Sequence, residues 1–157
     1  MTQSKPWETY EPRRENILKM FHAVQRLSGS ASSINDQDLA AIAEYLNISL
    51  AEASGVLSFY QTFSRKPRGR HVIRVCDSLS CRITGSLEVY QELRAYLGIG
   101  KNQTTPDGEF TLEVVNCLGT CDTAPNLMID DLLFTNVSPR DIPVILNHAR
   151  NGQEAAI

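Results

Sequence analysis

The first half of the chain repeats apolar residues at a helical spacing. Three such sets follow one another, and each would line one side of a helix because residues three, four and seven positions apart share a helix face. The sets are Ile17, Phe21, Val24 and Leu27; then Leu39, Ile42, Ala43 and Leu46; then Ala53, Val56, Leu57 and Tyr60. The pattern predicts three amphipathic helices in this half of the chain.

Polar residues support two of these helix starts. Asn35 stands just before the second set, where its side-chain oxygen can cap a helix. Ser49 precedes Glu52 by three residues, which is the spacing of a capping box. The third set continues into an aromatic stripe at helical spacing, formed by Phe59, Tyr60 and Phe63. We expect this stripe to close the core of the helices.

The second half of the chain begins with two strand patterns separated by a helix. Residues 71–76 alternate around Ile73 and Val75, and residues 110–116 form a second strand after a turn at Asp107-Gly108. The helical set between them is Leu87, Tyr90, Leu93 and Leu97, followed by Gly98 as a stop signal. Because a full helix connects the two strands, we expect them to lie parallel.

The remaining pattern predicts a hairpin and a last helix. Strands at 127–129 and 132–135 flank the polar pair Asp130-Asp131, and a helix opens at Ser138-Pro139. The pattern changes character near residues 66–69, so we place a domain boundary there. The predicted fold class is α+β: a helical lobe at 1–66, then an α/β domain at 67–157 with a mixed sheet, whose element order resembles a thioredoxin-like layer.

Composition narrows the class of protein. With 157 residues, 42% hydrophobic and 21% charged, the chain is typical of globular proteins. Its net charge of −3 gives no overall excess of positive charge, which argues against nucleic acid as a partner. No apolar run approaches the ~20 residues of a membrane span, so we expect no direct membrane insertion. A cytoplasmic location is expected, with any attachment to a membrane complex made through partners.

The only four cysteines form two close pairs, Cys76 with Cys81 and Cys117 with Cys121. In a reducing compartment such pairs indicate metal or redox chemistry rather than disulfides. Each pair follows a predicted strand, and the carboxyl ends of parallel neighbours bring their loops together. A 2Fe-2S cluster takes four thiolates, and small residues beside the cysteines leave room for backbone amides to donate hydrogen bonds to sulfur: Ser78, Ser80, Gly119 and Thr120.

Other sites remain possible on spacing alone. Zinc also binds four thiolates, although its usual C-x2-C knuckle is missing here. A zinc-bound interaction module is therefore an open alternative, as is a cluster that acts as a redox sensor. A dithiol oxidoreductase is disfavoured because the chain lacks C-x-x-C. The C-x4-C-x2-C run of plant-type ferredoxins is also missing.

Sequence motifs around the cysteines are similar to those of a known family. Residues 117–125, CLGTCDTAP, resemble the C-L-G-x-C-x-x-A-P signature of the thioredoxin-like 2Fe-2S ferredoxins, typified by the NuoE subunit of respiratory complex I. Residues 76–81 with Gly85 resemble the first half of the motif, C-x4-C, and residues 55–60, GVLSFY, resemble a segment of the family's helical lobe. The resemblance runs from about Ile17 to Leu146. Asn116 departs from it, since many members have an acidic residue there.

The resemblance implies an electron-transfer subunit without catalytic residues. Cys76 and Cys81 would bind one iron of a single 2Fe-2S cluster, and Cys117 and Cys121 the other. The implied partners are a flavoprotein subunit that binds FMN and NAD(H) and further iron-sulfur subunits. FMN and NAD are expected on that partner only. The implied hosts are NADH-linked oxidoreductases: complex I, NAD-dependent formate dehydrogenase or NAD-linked hydrogenase.

Overall fold

The first unit of the chain, Met1–Arg68, contains only helices among the residues that the structure describes. The computed structural model describes residues 5–27 and 33–151. Within the first unit the α-helices are α1 (Ile17–Leu27), α2 (Asp36–Tyr45) and α3 (Leu50–Phe59). Short 3-10 helices lie at Pro6–Thr9 and Arg14–Asn16. The three predicted helices are therefore confirmed, whereas the buried Trp7 on the first 3-10 helix had no signal in the pattern.

Both predicted helix caps are present, although of the predicted capping box only the Ser49 half is formed and the Glu52 carboxylate pairs with Arg14. Asn35 accepts a hydrogen bond from the Asp38 amide, and Ser49 accepts one from the Glu52 amide. These side chains satisfy backbone donors that the first turn of a helix leaves without a partner. The core of this unit is built from the predicted helix faces together with residues of the flanking segments: Trp7, Ile17, Met20, Phe21, Val24, Ile34, Leu39, Ile42, Ala43, Leu46, Ala53, Leu57 and Phe63.

The aromatic stripe is only partly in this core. Phe63 is buried and meets Phe21 edge to face at 5.3 Å between ring centroids. Phe59 is 78% exposed and Tyr60 is 40% exposed, so the expectation that they close the core was wrong. Phe59 is the last residue of α3 and lies two positions after the buried Leu57, so its ring points away from the buried face of the helix. Tyr60 follows the end of the helix and is extended.

The second unit, Gly69–Ile157, is built around a mixed sheet. Its strands are β1 (His71–Cys76), β2 (Gln103–Thr104), β3 (Phe110–Val115), β4 (Leu127–Ile129) and β5 (Leu132–Phe134), in the order β2-β3-β1-β4-β5. β1 pairs parallel with β3, with His71 opposite Phe110 and Cys76 opposite Val115. β1 pairs antiparallel with β4, which forms the predicted hairpin with β5.

Helices α4 (Leu79–Ile83), α5 (Ser86–Leu97) and α6 (Ile142–Asn151) complete the second unit. α5 ends at Gly98, whose φ of 66° is left-handed as the stop signal predicted. Its buried residues are Ser86, Val89 and Leu93, whereas Leu87 of the predicted face is largely exposed. The five-residue helix α4 was not predicted, because it is too short to show a period.

A shared core joins the sheet to α5 and α6. Its buried members are Ile73, Val75, Val89, Leu93, Ile99, Phe110, Leu112, Leu127, Ile129, Phe134, Val137, Ile142, Ile145 and Leu146. The α+β class with a helical lobe and a mixed sheet is confirmed. That segments 1–66 and 67–157 are separate domains stays a prediction. Over the described residues, no helix has the length and apolar character needed to cross a membrane.

Candidate metal centre

The ends of β1 and β3 position the four cysteines. Cys76 is the last residue of β1 and lies opposite Val115, the last residue of β3, while Cys117 follows two positions later. The Asp77 amide donates to the Val115 carbonyl at 2.8 Å, which extends the parallel pairing into the loop. The two cysteine-bearing segments therefore leave the sheet side by side.

The first pair, Cys76 and Cys81, is buried. Cys76 is 1% exposed and Cys81 is 0% exposed. The expectation that both flank a loop was incomplete, because Cys81 lies on α4, which begins one residue after Ser78. The Ser78 hydroxyl lies 3.2 Å from the Cys76 sulfur. The short helix thus turns the Cys81 thiol back toward the end of β1.

The second pair, Cys117 and Cys121, is exposed. Their sulfur atoms are 3.7 Å apart. Gly119 between them has a φ of 88°, a left-handed conformation that side chains disfavour, and its amide donates to the Cys117 sulfur at 3.3 Å. Cys121 opens a 3-10 helix, Cys121–Thr123. The tight turn at Gly119 is what brings these two thiols together.

The spacing of the exposed pair suits two ligands of one tetrahedral metal ion. Thiolates bound at about 2.3 Å to such an ion lie about 3.8 Å from each other. Cys76 and Cys81 also interact through their thiols. Within residues 5–27 and 33–151, no three potential ligands converge on a single ion position. The four cysteines thus lie as two pairs of neighbouring thiols.

Burial and hydrogen bonds shift the pKa values of Cys76 and Cys81 in opposite directions. Burial raises the pKa of Cys76, but hydrogen bonds from the Ser78 hydroxyl and amide, from Cys81 and from the Leu118 amide outweigh it and lower the pKa overall. Burial raises the pKa of Cys81, and sharing a proton with Cys76 raises it further, against a hydrogen bond from the Asn126 amide. The first pair therefore holds a thiolate at Cys76 most readily.

The two pairs are close enough to interact. The hydrogen bond with Cys117 and the Cys117 charge raise the pKa of Cys121, and the charges of Cys76 and Cys81 add to that rise. The amide of Leu118, which belongs to the second loop, reaches the Cys76 sulfur. All four thiols therefore lie within one electrostatic environment.

Four small residues were expected to let backbone amides approach the cysteine sulfurs, and only two of them contact a thiol. Ser78 and Gly119 contact thiols as predicted. Ser80 and Thr120 instead use their carbonyls to accept hydrogen bonds from Thr84 and Asn126. These two residues therefore stabilise the loops that carry the cysteines.

Asn126 is a site residue that the sequence motifs did not reveal. It is buried and follows Ala124 and Pro125, which are joined by a cis peptide bond. Its carbonyl accepts from the Cys76 amide at 3.2 Å and its side chain donates to the Thr120 carbonyl. β4 starts only at the next residue, so no strand pattern indicated that Asn126 is buried. The one available signal was that a single polar residue follows the C-x-x-A-P segment.

Comparisons with known proteins identify the family of this chain. The protein-family model of the thioredoxin-like [2Fe-2S] ferredoxins matches residues 4–150. A subunit of the NADH-quinone oxidoreductase of Pseudomonas aeruginosa is 44% identical over 137 residues, which are 87% of this chain and 81% of that protein. Its counterpart in the NADH-quinone oxidoreductase of Escherichia coli K12 is 40% identical over 137 residues, with the same shares of both chains.

A solved structure shows the same fold. An NAD+-reducing [NiFe]-hydrogenase in the air-oxidized state superposes with a TM-score of 0.72 at 21% identity, over 88% of this chain. The chain spans only 23% of that hydrogenase chain. From the match over nearly its whole length, and from the identity to curated members, the chain belongs to the family of thioredoxin-like [2Fe-2S] ferredoxins.

Proposed function

We propose that this chain is an electron-transfer subunit that holds one 2Fe-2S cluster on Cys76, Cys81, Cys117 and Cys121. The observation that carries the proposal is the pairing of these thiols at the adjoining ends of two parallel strands, with 3.7 Å between the sulfurs of Cys117 and Cys121. Cys76 and Cys81 would bind one iron and Cys117 and Cys121 the other. When bound, such a cluster supplies one-electron oxidation and reduction.

The protein's own part would be to bind the cluster, to keep water away from it and to set its reduction potential. Cys76 and Cys81 lie in the interior, where the fold excludes water from their sulfurs. Amides of Leu118 and Gly119 point at cysteine sulfurs, and such hydrogen bonds stabilise negative charge there. The exposed sulfurs of Cys117 and Cys121 provide the side from which an electron can enter or leave. No bond-making residue is needed for this role.

The proposed host is an NADH-linked oxidoreductase of the complex I type. The support is that the curated relatives at 40–44% identity are named as subunits of NADH-quinone oxidoreductase. The chain would dock on a flavoprotein subunit that carries FMN and binds NAD(H), and pass electrons among further iron-sulfur subunits. NAD and FMN would stay on that partner, and the chain would remain on the cytoplasmic side.

An exposed apolar pair beside the first cysteines suits such docking. Leu79 and Ile83 lie one helical turn apart on α4 and are 78% and 77% exposed. Cys81 on the same helix faces inward. A partner that covered the two apolar side chains would bring its own cofactor near the proposed cluster, as electron transfer requires.

Metal analysis and spectroscopy of the purified full chain test the cluster assignment. We expect about two irons and two sulfides per chain, visible charge-transfer absorption and a paramagnetic signal after one-electron reduction. Ser replacements of each cysteine should lower iron content, whereas Ser80→Ala serves as a matched control and should not. A colourless protein with one zinc and no sulfide would establish the zinc-bound alternative instead.

Reduction by NADH tests the partner assignment. The holoprotein alone should stay oxidised with NADH, and it should be reduced once its co-purified flavoprotein is added.

Leu79→Asp should weaken that partner's binding, because a charge on the apolar pair must be desolvated. Leu132→Asp, at an exposed leucine of β5, is the control. Equal binding of both variants would place the docking surface elsewhere.

A further inference from the structure

The two cysteine pairs differ sharply in their access to solvent. Cys76 and Cys81 are almost completely inaccessible, whereas Cys117 and Cys121 are both exposed. Reagents dissolved in water can thus reach one pair only. Thiols react with dissolved oxidants according to their accessibility as well as their thiolate content.

We propose that Cys117 and Cys121 form a redox-modification site in the cluster-free chain, where a low-molecular-weight disulfide converts them into an intraloop disulfide. Cys76 and Cys81 remain thiols under the same conditions. The substrate class is a small oxidised thiol such as oxidised glutathione. The disulfide would prevent the pair from binding iron until a reductant restores it.

The reaction is an ordinary thiol-disulfide exchange and balances without other reagents. One protein thiolate attacks a sulfur of the small disulfide, and one glutathione thiolate leaves, so that a mixed disulfide forms. The second protein thiolate then attacks the protein sulfur of that mixed disulfide and displaces the other glutathione. The two cysteines lose two electrons and two protons together, and the small disulfide is reduced to two thiols.

The second loop is already close to the geometry that this step needs. A disulfide requires the sulfurs to approach to about 2.05 Å. From 3.7 Å, the closing distance is short. The left-handed Gly119 at the turn is exposed, and Leu118 and Thr120 are half-buried. No buried side chain must leave the core for the two sulfurs to meet.

The first pair lacks this freedom. The Cys76 amide is bonded to the Asn126 carbonyl, and the following Asp77 amide is bonded to Val115. Cys81 is held within α4, whose Arg82 amide donates to the Ser78 carbonyl. An oxidant would have to open the end of β1 or the helix before it reached either sulfur.

The consequence for cluster assembly rests on the proposed function. Because both cysteines would be ligands of the same iron, their oxidation would remove half of the donor set at once. Cluster insertion into the free chain would then require reducing conditions. The disulfide itself depends only on the loop and on the accessibility of its thiols, so the two claims can be tested separately.

Peptide mapping tests the disulfide directly. Trypsin cuts after Lys and Arg, so Cys76 and Cys81 fall together in peptide 75–82, and Cys117 and Cys121 in peptide 102–140. The full chain is stripped of metal with a chelator, reduced, desalted and exposed to oxidised glutathione. Free thiols are then alkylated, and both peptides are weighed. An internal disulfide makes a peptide lighter by two hydrogens and leaves it without alkyl groups.

We expect peptide 102–140 to oxidise at least about tenfold faster than peptide 75–82. Cys117→Ser should stop at a mixed disulfide on Cys121, whereas Cys76→Ser should leave the intraloop disulfide unchanged. Faster oxidation of peptide 75–82, a disulfide between the two peptides, or equal rates would overturn the proposal.

Cluster uptake supplies the second readout. Samples oxidised by glutathione should gain little visible absorption when iron and sulfide are added, and a reductant should restore it. Uptake without a reductant by chains that carry the mapped disulfide would overturn the proposed block on assembly. If fully reduced chains take up no cluster, the proposed ligand role fails, while the peptide map still decides whether the disulfide forms.

Discussion

Asn126 connects three parts of the candidate site through one residue. Its carbonyl holds the Cys76 amide, its amide reaches Cys81, and its side chain holds the Thr120 carbonyl in the second loop. A buried polar side chain of this kind stabilises a fold only while its hydrogen bonds are made. Its loss should therefore disturb both cysteine-bearing segments.

Asn126→Ala is expected to lower the free energy of unfolding by about 1–3 kcal/mol, because the Thr120 carbonyl loses its donor and a small void remains. Urea unfolding of the full chain measures this change. Asn116→Ala removes an exposed asparagine next to Cys117 and is the matched control, with little expected effect. Equal midpoints for the two variants would show that Asn126 has no structural role.

Gly119 offers a second test at a single position. Alanine there must adopt a φ of 88°, which costs about 1–2 kcal/mol, and the resulting shift should move its amide away from the Cys117 sulfur. The variant Gly119→Ala should thus have a lower reduction potential, since fewer hydrogen bonds stabilise the reduced cluster. Potentiometry on the holoprotein measures this shift.

Gly98→Ala controls for the backbone cost. Gly98 is also left-handed, at 66°, and a Cβ atom on either glycine meets nothing within 4 Å. Both variants should lose similar stability, but only Gly119→Ala should change the potential. A change of equal size in both would mean that general loosening, rather than the amide at Cys117, sets the potential.

At the residue scale, the sequence predicted that the cysteine pairs lie at the adjoining ends of two strands, and the structure confirms it. That the cysteines bind a cluster stays a prediction. Four cysteines in two spaced pairs allowed few interpretations, and small neighbours such as Ser78 and Gly119 indicated nearby amides. Asn126 was missed because asparagine is common in turns, and because its contact with Cys76 joins residues that lie far apart along the chain. Only the folded structure reveals such a contact.

At the scale of elements, a short 3-10 helix, Pro139–Asp141, leads into α6 and is capped at its start by Ser138. The Asp141 carboxylate accepts hydrogen bonds from the Ser138 amide and from its hydroxyl, each at 2.8 Å. Both hydrogen bonds lower the pKa of Asp141 below its ordinary value. A depressed carboxyl pKa stabilises the folded state above the unfolded pKa, and this contribution is lost as the pH falls through the folded pKa.

Asp141→Asn is therefore expected to destabilise the protein at pH 7 by less than about 1 kcal/mol, since water surrounds this carboxylate. The difference from the original chain should narrow below about pH 4, as the native carboxylate becomes protonated. Urea unfolding at a series of pH values measures it. Asp131→Asn, in the exposed hairpin turn, is the control. A difference that is constant with pH would exclude a role for the charge.

Whether a helix or strand could be predicted depended on how many residues its pattern contains. The longer helices and the parallel strands were found because several residues repeat one period. α4 and β2 were missed because five and two residues are too few to show one. Tyr60 was misplaced for a related reason: α3 ends just before it, and the end of a helix depends on the local backbone, which composition does not reveal.

At the scale of the whole molecule, each unit has its own hydrophobic core. Leu39 lies in the core of the first unit and Leu112 in that of the second, and both are fully buried. The chain also provides one optical probe for each. Its single tryptophan, Trp7, lies in the first core, and the proposed cluster lies in the second unit.

Leu39→Ala and Leu112→Ala should each destabilise their own unit by about 2–5 kcal/mol. If the units are separate domains, Leu39→Ala lowers the unfolding midpoint seen by Trp7 fluorescence and leaves that of the visible absorption unchanged. Leu112→Ala should do the reverse. Coincident shifts of both probes in both variants would contradict the division into domains at residues 66 and 67.

The parallel pairing of β1 with β3 also has a consequence for folding. The residues of each cysteine pair are near neighbours along the chain, so either pair can form early and locally. The two pairs meet only after the chain has closed a long loop that contains α4 and α5, which is the slow, entropically costly step of such a topology. Binding of the proposed cluster at the complete site would draw the sheet toward its native form by mass action.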